Sequence, residues 1–140
     1  MSVEVLKAVY NKLVSQTGDP AAYNDFHVAV GGRIYATIAP PDTAFPFCVF
    51  EMAAPDVEHF FGSTKRLTTT LDVHVFDKTD KGVDSLMDIE TLLFDLLDDT
   101  DLATTGFDRS RVRALSRGSV NFDSEEVYGF NSTFEIIATG

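Results

Sequence analysis

Hydrophobic positions recur every three or four residues over 3–16. Leu6, Val9, Tyr10, Leu13 and Val14 share one side of a helical wheel, with Glu4, Lys7, Asn11 and Lys12 elsewhere. That spacing predicts an amphipathic helix. Thr17-Gly18-Asp19-Pro20 stops it in a turn. Residues 21–33 show no clear period, and Gly31-Gly32 marks a tight bend. Residues 34–38 read as a short strand closed by Pro40-Pro41-Asp42. Phe45-Pro46-Phe47 then opens a Phe/Val-rich strand over 47–53, which Pro55 ends. Proline is tolerated at a strand entrance, where the first ladder donor is expendable. Residues 55–65 read as a connection carrying Asp56, Glu58, His59, Gly62 and Lys65.

Strict alternation over 66–76 predicts a half-buried antiparallel strand. Leu67, Thr69, Leu71, Val73 and Val75 point one way, and Thr68, Thr70, Asp72, His74 and Phe76 the other. Residues 77–82 read as a polar turn. The period returns to helical over 83–98, where Leu86, Ile89, Leu92, Leu93, Leu96 and Leu97 form the apolar face. Asp84, Asp88, Thr91, Asp95 and Asp99 step along the opposite side. Asp98, Asp99 and Asp101 sit at the helix C-terminal end, where the helix dipole disfavours anions. That violation points to a use for these acids beyond helix stability. Two strands follow, 109–120 and 127–138, joined by residues 121–126. Arg109, Arg111, Arg113 and Arg117 share a face with Leu115 on the first; Tyr128, Phe130, Phe134 and Ile136 share one on the second. The expected fold is therefore α+β, a single domain over 1–140. Two helices pack on one face of a mainly antiparallel four- to five-stranded sheet. The other face is left without a cover, which favours assembly through that face or through the sheet edges.

Composition narrows the function. At 140 residues and 44% apolar content the chain can build a true core. Eleven basic against twenty-two acidic residues give a net charge of −11. That balance argues against general affinity for nucleic acid or for an anionic membrane. No basic segment followed by an apolar stretch opens the chain, and no run is long enough to span a bilayer, so folding in a cytoplasm is expected. Twelve Phe and no Trp place most aromatic rings in a core or at a subunit contact, since Phe has no polar tip.

The candidate chemistry is thin. Cys48 lies in an apolar strand and reads as a buried structural thiol, unable to form an internal disulfide. His59 beside Asp56 and Glu58, or Asp72 with His74, offers metal donors without a ligand spacing, so no metal site is expected. Gly31-Gly32-Arg33 is too short to cradle a phosphate. No catalytic or cofactor-binding constellation is present. The distinctive feature is the arginine stripe, with four of the six arginines between 109 and 117. It could meet phosphates, form a solvated face, or meet acids such as Asp95 and Asp99 of a neighbouring subunit. The third reading makes Arg109, Arg111, Arg113, Arg117, Asp95 and Asp99 subunit-interface candidates.

The order Val30-Gly31-Gly32-Arg33-Ile34-Tyr35, then Pro40-Pro41, then Phe45-Pro46-Phe47-Cys48-Val49-Phe50 resembles the small phage tail-completion proteins, or tail terminators. The strand Leu71-Asp72-Val73-His74-Val75-Phe76, leading through a polar turn into an amphipathic helix and a closing hairpin, continues the likeness. The acidic helix end at Asp98, Asp99 and Asp101, and Phe47 where the family often has Tyr, depart from it. The resemblance implies a virion structural protein at the head-proximal end of the tail. It implies a homo-oligomeric ring, usually a hexamer, that caps the tail tube protein and meets a head-side connector or stopper protein. DNA would pass through the bore without specific binding. Gene transfer agents carry similar proteins. A head-side neck or stopper protein is the related alternative. A small cytoplasmic enzyme or ligand-binding domain built on Asp72, His74 and His59 is the unrelated one.

Overall fold

The computed structural model describes residues 3–17, 22–54, 56–59, 64–78, 83–102, 104, 106–122 and 127–140. The first amphipathic pattern becomes helix α1, Val3–Leu13. It ends earlier than its hydrophobic period, because Gln16–Thr17 (β1) leaves to pair antiparallel with Ala22–Tyr23 (β2). Asn24 is the reason the chain can turn here. Its side-chain amide donates to the carbonyls of Leu13 and Ser15, each at 3.0 Å. Its Oδ1 accepts the His27 amide at 2.8 Å and so caps helix α2, Asp25–Ala29. One buried side chain thus closes one helix and opens the next. Both β2 and α2 fall in the stretch that showed no period.

Helix α2 ends in two glycines at positive φ, 61° at Gly31 and 73° at Gly32. The Gly32 amide reaches back to the His27 carbonyl at 2.9 Å and the Gly31 amide to Val28 at 3.0 Å. This is the Schellman arrangement that satisfies orphaned helix carbonyls. The predicted bend is therefore a helix stop.

The remaining elements are β3 (Ile34–Ala36), β4 (Phe47–Met52), β5 (Asp56–His59), β6 (Lys65–Lys78), α3 (Val83–Leu97), β7 (Thr100–Asp101), β8 (Arg109–Phe122) and β9 (Val127–Thr139). The main sheet runs β3-β4-β6-β9-β8-β7, with β5 continuing beside β6 where β4 leaves it. All pairs are antiparallel except β3 with β4. The α+β, mainly antiparallel prediction is right in kind and short in number, since this sheet has seven strands and the described chain has three helices. Strand β5 lies within the predicted connection; all four of its residues are exposed, so no alternation marks it. Strand β7 is too short to carry a period. Turns predicted at 18–20, 79–82 and 123–126, and the stop at Pro55, lie outside the described residues.

The alternation of β6 holds residue by residue. Leu67, Thr69, Leu71, Val73 and Val75 are buried, and the intervening side chains are half-buried on the other face. The strand also runs further than predicted. Asp77, read as part of a polar turn, is buried in it, and its Oδ1 accepts the Lys78 amide at 2.8 Å. Strand β9 supplies Tyr128, Phe130, Phe134 and Ile136 to the same core. Helix α1 adds Val5, Val9 and Leu13; helix α3 adds Leu86, Ile89, Leu93 and Leu97. Each such side chain contributes roughly 1.5–3 kcal/mol by leaving water.

Candidate assembly surface

The helices pack on one face of the main sheet, and among the described residues none packs on the other. That open face has three chemically distinct zones.

At one end the outward side chains of β4 and β6 are paired across the ladder: Phe47 with Phe76, Val49 with His74, Glu51 with Asp72. Phe47, Val49, Glu51, His74 and Phe76 line a groove of about 290 Å³ together with Ile38. The Phe45 and Phe47 rings are centred 5.3 Å apart, and the Phe47 and Phe76 rings 5.2 Å apart. Ile38, on the loop beyond β3, is 78% exposed at the rim. Arg33 builds this end. Its Nε donates to the Pro46 carbonyl at 2.9 Å and its Nη2 to the Phe45 carbonyl at 3.2 Å. The parallel β3–β4 register sets Ile34 beside Cys48. The Gly-Gly-Arg-Ile-Tyr segment and the Phe-Pro-Phe opening, far apart in sequence, are thus one physical unit.

The second zone is acidic. Glu51 and Asp72 face each other as a like-charged cross-strand pair, an unfavourable arrangement in an isolated sheet. Asp72 accepts the Thr133 hydroxyl at 2.8 Å. Asp56, paired with Thr68, continues the acidic row onto β5.

The third zone is basic. Arg109, Arg111 and Arg113 are exposed on β8 while Ser110 and Val112 point inward, as the alternation predicts. The register then slips between Ala114 and Ser116, a bulge that breaks the predicted alignment of Leu115 with the stripe. Leu115 is 51% exposed there. The side chain of Arg117 lies outside the described residues.

The acids at the wrong end of α3 find their use beside this stripe. Asp98 Oδ1 accepts the Ala114 amide of β8 at 2.8 Å. Asp99 takes the left-handed turn at φ 55°. Its carboxylate lies 2.8 Å from Arg111 Nη2, and Asp101 lies 3.5 Å from Arg111 Nη1. Hydrogen bonding to Asp99, then its charge, raises the Arg111 pKa further. Arg113 pairs with Glu135 of β9 at 2.9 Å. So Arg111 and Asp99 are brought together within one chain. Asp95 is not with them; it is exposed on α3 beside Asn24 and Asp25.

The polar cluster of the enzyme reading does not form. Asp72 and His74 share the open face, but His59 pairs with Lys65 near the far end of β6, nine residues and about 30 Å from His74 along the strand. Among the described residues no three His, Cys, Asp or Glu side chains gather where they could hold a metal ion. No helix among them is long and apolar enough to cross a membrane. Cys48 is fully buried, and burial pushes its thiol far above its ordinary range.

Sequence reasoning missed the groove, the clasp of Arg33 and the cap of Asn24. The dense Phe content and the Arg in Gly-Gly-Arg were the available signals.

The sequence matches no family model and no curated protein. Solved structures do match. A chain of the virion of a native gene transfer agent particle superposes with a TM-score of 0.71 at 16% identity, over 98% of this chain and 96% of that one. The fold is shared end to end. A second solved structure, which carries no functional description, gives a TM-score of 0.65 at 14% identity, over 99% and 96%. At these identities the likeness is one of fold.

Proposed function

We propose that this protein is a structural, non-catalytic virion component of the tail-completion type. It forms a closed ring, usually of six copies in this kind of protein, that caps the tail tube, ends its growth and meets the head-side connector. The observation that carries the proposal is the full-length correspondence with a chain of a gene transfer agent virion. Motif order over residues 30–50 supports it independently.

The surface chemistry fits that role. A ring needs two unlike, complementary patches on each subunit. Arg109, Arg111, Arg113 and Arg117, with Asp99 beside Arg111, belong to one of them; Asp95, exposed on α3 away from the stripe, is a candidate for the other. Since Asp99 already holds Arg111 in cis, the acids that complete the contact lie elsewhere on the neighbour. A net charge of −11 suits a conduit that DNA traverses without being gripped.

The test is to polymerise tail tube protein with and without this chain and measure tube lengths by electron microscopy. The expected result is shortened tubes ending in a ring, with a free ring six times the 15.4 kDa chain mass by sedimentation. Unchanged tube lengths and a strict monomer would reject the reading. Binding to isolated connectors but not to tube ends would place the protein on the head side instead.

A further inference from the structure

The main sheet has two edges, and at one level both are bare. The row that starts at Ile34 of β3 runs through Cys48, Val75 and Phe130 to Val120 of β8. At that level the sheet is five strands wide, with β3 at one end and β8 at the other. Nearer its start, β8 has its edge covered by its own chain. Strand β7 pairs with Arg111 and Val112, the Leu102 amide donates to the Ser110 carbonyl at 2.9 Å, and Asp98 takes the Ala114 amide. From Leu115 to Phe122, among the described residues, no strand lies on that outer side. On β3 the Arg33 carbonyl accepts the Cys48 amide at 2.8 Å and the Thr37 amide donates to the Phe50 carbonyl at 2.9 Å, so Ile34 and Ala36 turn their backbone groups outward. The Ile34 amide is taken by Gly32 and the Ala36 carbonyl by Ile38. The Ile34 carbonyl and the Ala36 amide keep no backbone partner among the described residues.

The two edges also agree in direction and phase. Strand β3 runs parallel to β4, and three antiparallel steps lead from β4 to β8, so β3 and β8 run in opposite senses. The Ser110 carbonyl and Ala114 amide point away from β9, so Arg109, Arg111 and Arg113 bond toward it, and their partners Thr139, Ile137 and Glu135 bond toward β8. Strand β9 runs unbroken along β6, so its alternation makes Asn131 and Gly129 face β8 as well. Ser119 and Asn121, opposite them, therefore bond inward, and the backbone groups of residues 118 and 120 point outward.

Resting on the ring reading, we infer that the β8 edge of one copy pairs antiparallel with the β3 edge of the next, continuing the sheet across the subunit contact. Val120 falls opposite Ile34 and Gly118 opposite Ala36. The Val120 amide donates to the Ile34 carbonyl, and the Ala36 amide donates to the Gly118 carbonyl. The occupant is a second copy because the strand missing beside β3 must have the row, direction and hydrogen-bond phase that this chain's own far edge supplies. The contact is head-to-tail, as a closing ring demands, because two unlike edges at opposite ends of one sheet put the two neighbours on opposite sides of each subunit. A strand beside β3 also covers apolar surface. On the helix side lies a groove of about 300 Å³ lined by Leu6, Tyr10, Ala36 and Phe50, and on the other side Ile38 stands exposed. Thr37, at φ 70°, ends β3 after three residues, so each added ladder is short and stops at one neighbour. A long bare edge that would otherwise template indiscriminate pairing is thereby given one specific partner.

Proline at Ala36 tests the backbone bond. The Ala36 amide points away from β4, so Ala36→Pro leaves the β3–β4 ladder whole and should fold as wild type by circular dichroism. It removes the donor and places a ring carbon in the neighbour's path, and should raise the concentration at which rings dissociate at least about tenfold. Cysteines test the register, and decide alone if the proline variant does not fold. Tyr35 and Ser119 form the non-hydrogen-bonded pair between the two bonded ones, where opposing residues come closest. Within one chain they stand four strand spacings, about 19 Å, apart, beyond the reach of a disulfide, so a bond between them joins two copies. Cys48 is buried and does not compete. On assembled protein under mild oxidation, Tyr35→Cys with Ser119→Cys should give a ladder of covalent multimers, and each single variant none. Folded Ala36→Pro rings as stable as wild type, or double-cysteine rings that give no ladder, would each overturn the edge pairing and leave the ring standing. Covalent dimers from either single variant would overturn the head-to-tail arrangement. A wild-type monomer, alone and on tube ends, would reject the ring and the edge pairing together.

Discussion

Gly129 lies near the start of β9, opposite Phe76 of β6 and Asn121 of β8. A methyl group placed there would sit 2.6 Å from the Val75 carbonyl oxygen and 2.9 Å from Cδ1 of the Phe76 ring. The ring can turn aside. The carbonyl belongs to the longest ladder in the sheet and cannot move without disturbing neighbouring bonds. Overpacking of this kind costs about 1–3 kcal/mol. Replacing glycine also removes freedom from the unfolded chain, which returns about 0.5–1 kcal/mol. The net expectation for Gly129→Ala is a loss of about 1–2 kcal/mol, or about 3–7 °C in Tm for a chain of this length. Thermal and urea unfolding followed by circular dichroism measure it. The same loss should persist in a Phe76→Ala background, because the backbone oxygen is the closer obstacle. A variant as stable as wild type, or a loss abolished by Phe76→Ala, would refute the reasoning.

Arg33→Ala should cost about 1–3 kcal/mol by releasing the Phe45 and Pro46 carbonyls, and Arg33→Lys should restore little, since an ammonium lacks the fork that reaches both. Asp98→Ala should cost about 1–2 kcal/mol because it strands the Ala114 amide, whereas Asp101→Ala should leave the melting temperature nearly unchanged. Cys48 should resist thiol reagents until the chain unfolds. The fold holds this thiol protonated, while the unfolded chain loses that proton above its ordinary pKa of 9.0. Stability should therefore fall above pH 9 by about 1.4 kcal/mol per pH unit more than in Cys48→Ala, as urea titrations across pH can show. The free protein should not retain duplex DNA in a filter or mobility assay at physiological salt; retention abolished by Arg111→Ala with Arg113→Ala would mean that the stripe faces the bore.

What could be read from the sequence depended on how unequal the two sides of each element are. Strand β6 has a dry side and a wetter one, so its alternation predicted every inward residue from Leu67 to Val75. Helix α3 likewise showed its stripe. Helix α2 could not be read this way, because five residues hold too little period and a single side chain, Asn24, establishes it. Strand β5 is defined by its pairing with β6 and not by any pattern of its own. Asp77 misled because a polar residue at an inward position looks like the end of a strand. The assembly surface was legible in part. Alternation placed Arg109, Arg111 and Arg113 outward, and the helix-dipole violation flagged Asp98, Asp99 and Asp101. That the two groups meet in one chain depends on the end of α3 lying beside β8, which no local pattern states. The bulge at Leu115 and the joining of Arg33 to Phe45-Pro46 are tertiary in the same sense.

The position of β9 has a bearing on when this protein becomes a protein. It lies between β6 and β8 in the sheet, and its partners run from Lys78 with Val127 to Arg66 with Thr139. The centre of the sheet is therefore made from segments that a ribosome delivers far apart in time. Until residues 127–139 emerge, Leu71, Val73 and Val75 have no strand beside them, and β6 and β8 each present a long bare edge. A nascent chain stalled short of β9 is sticky and is a substrate for chaperones. The open face includes Thr133 and Glu135 of β9, so a chain stalled short of residue 127 has not yet built that face.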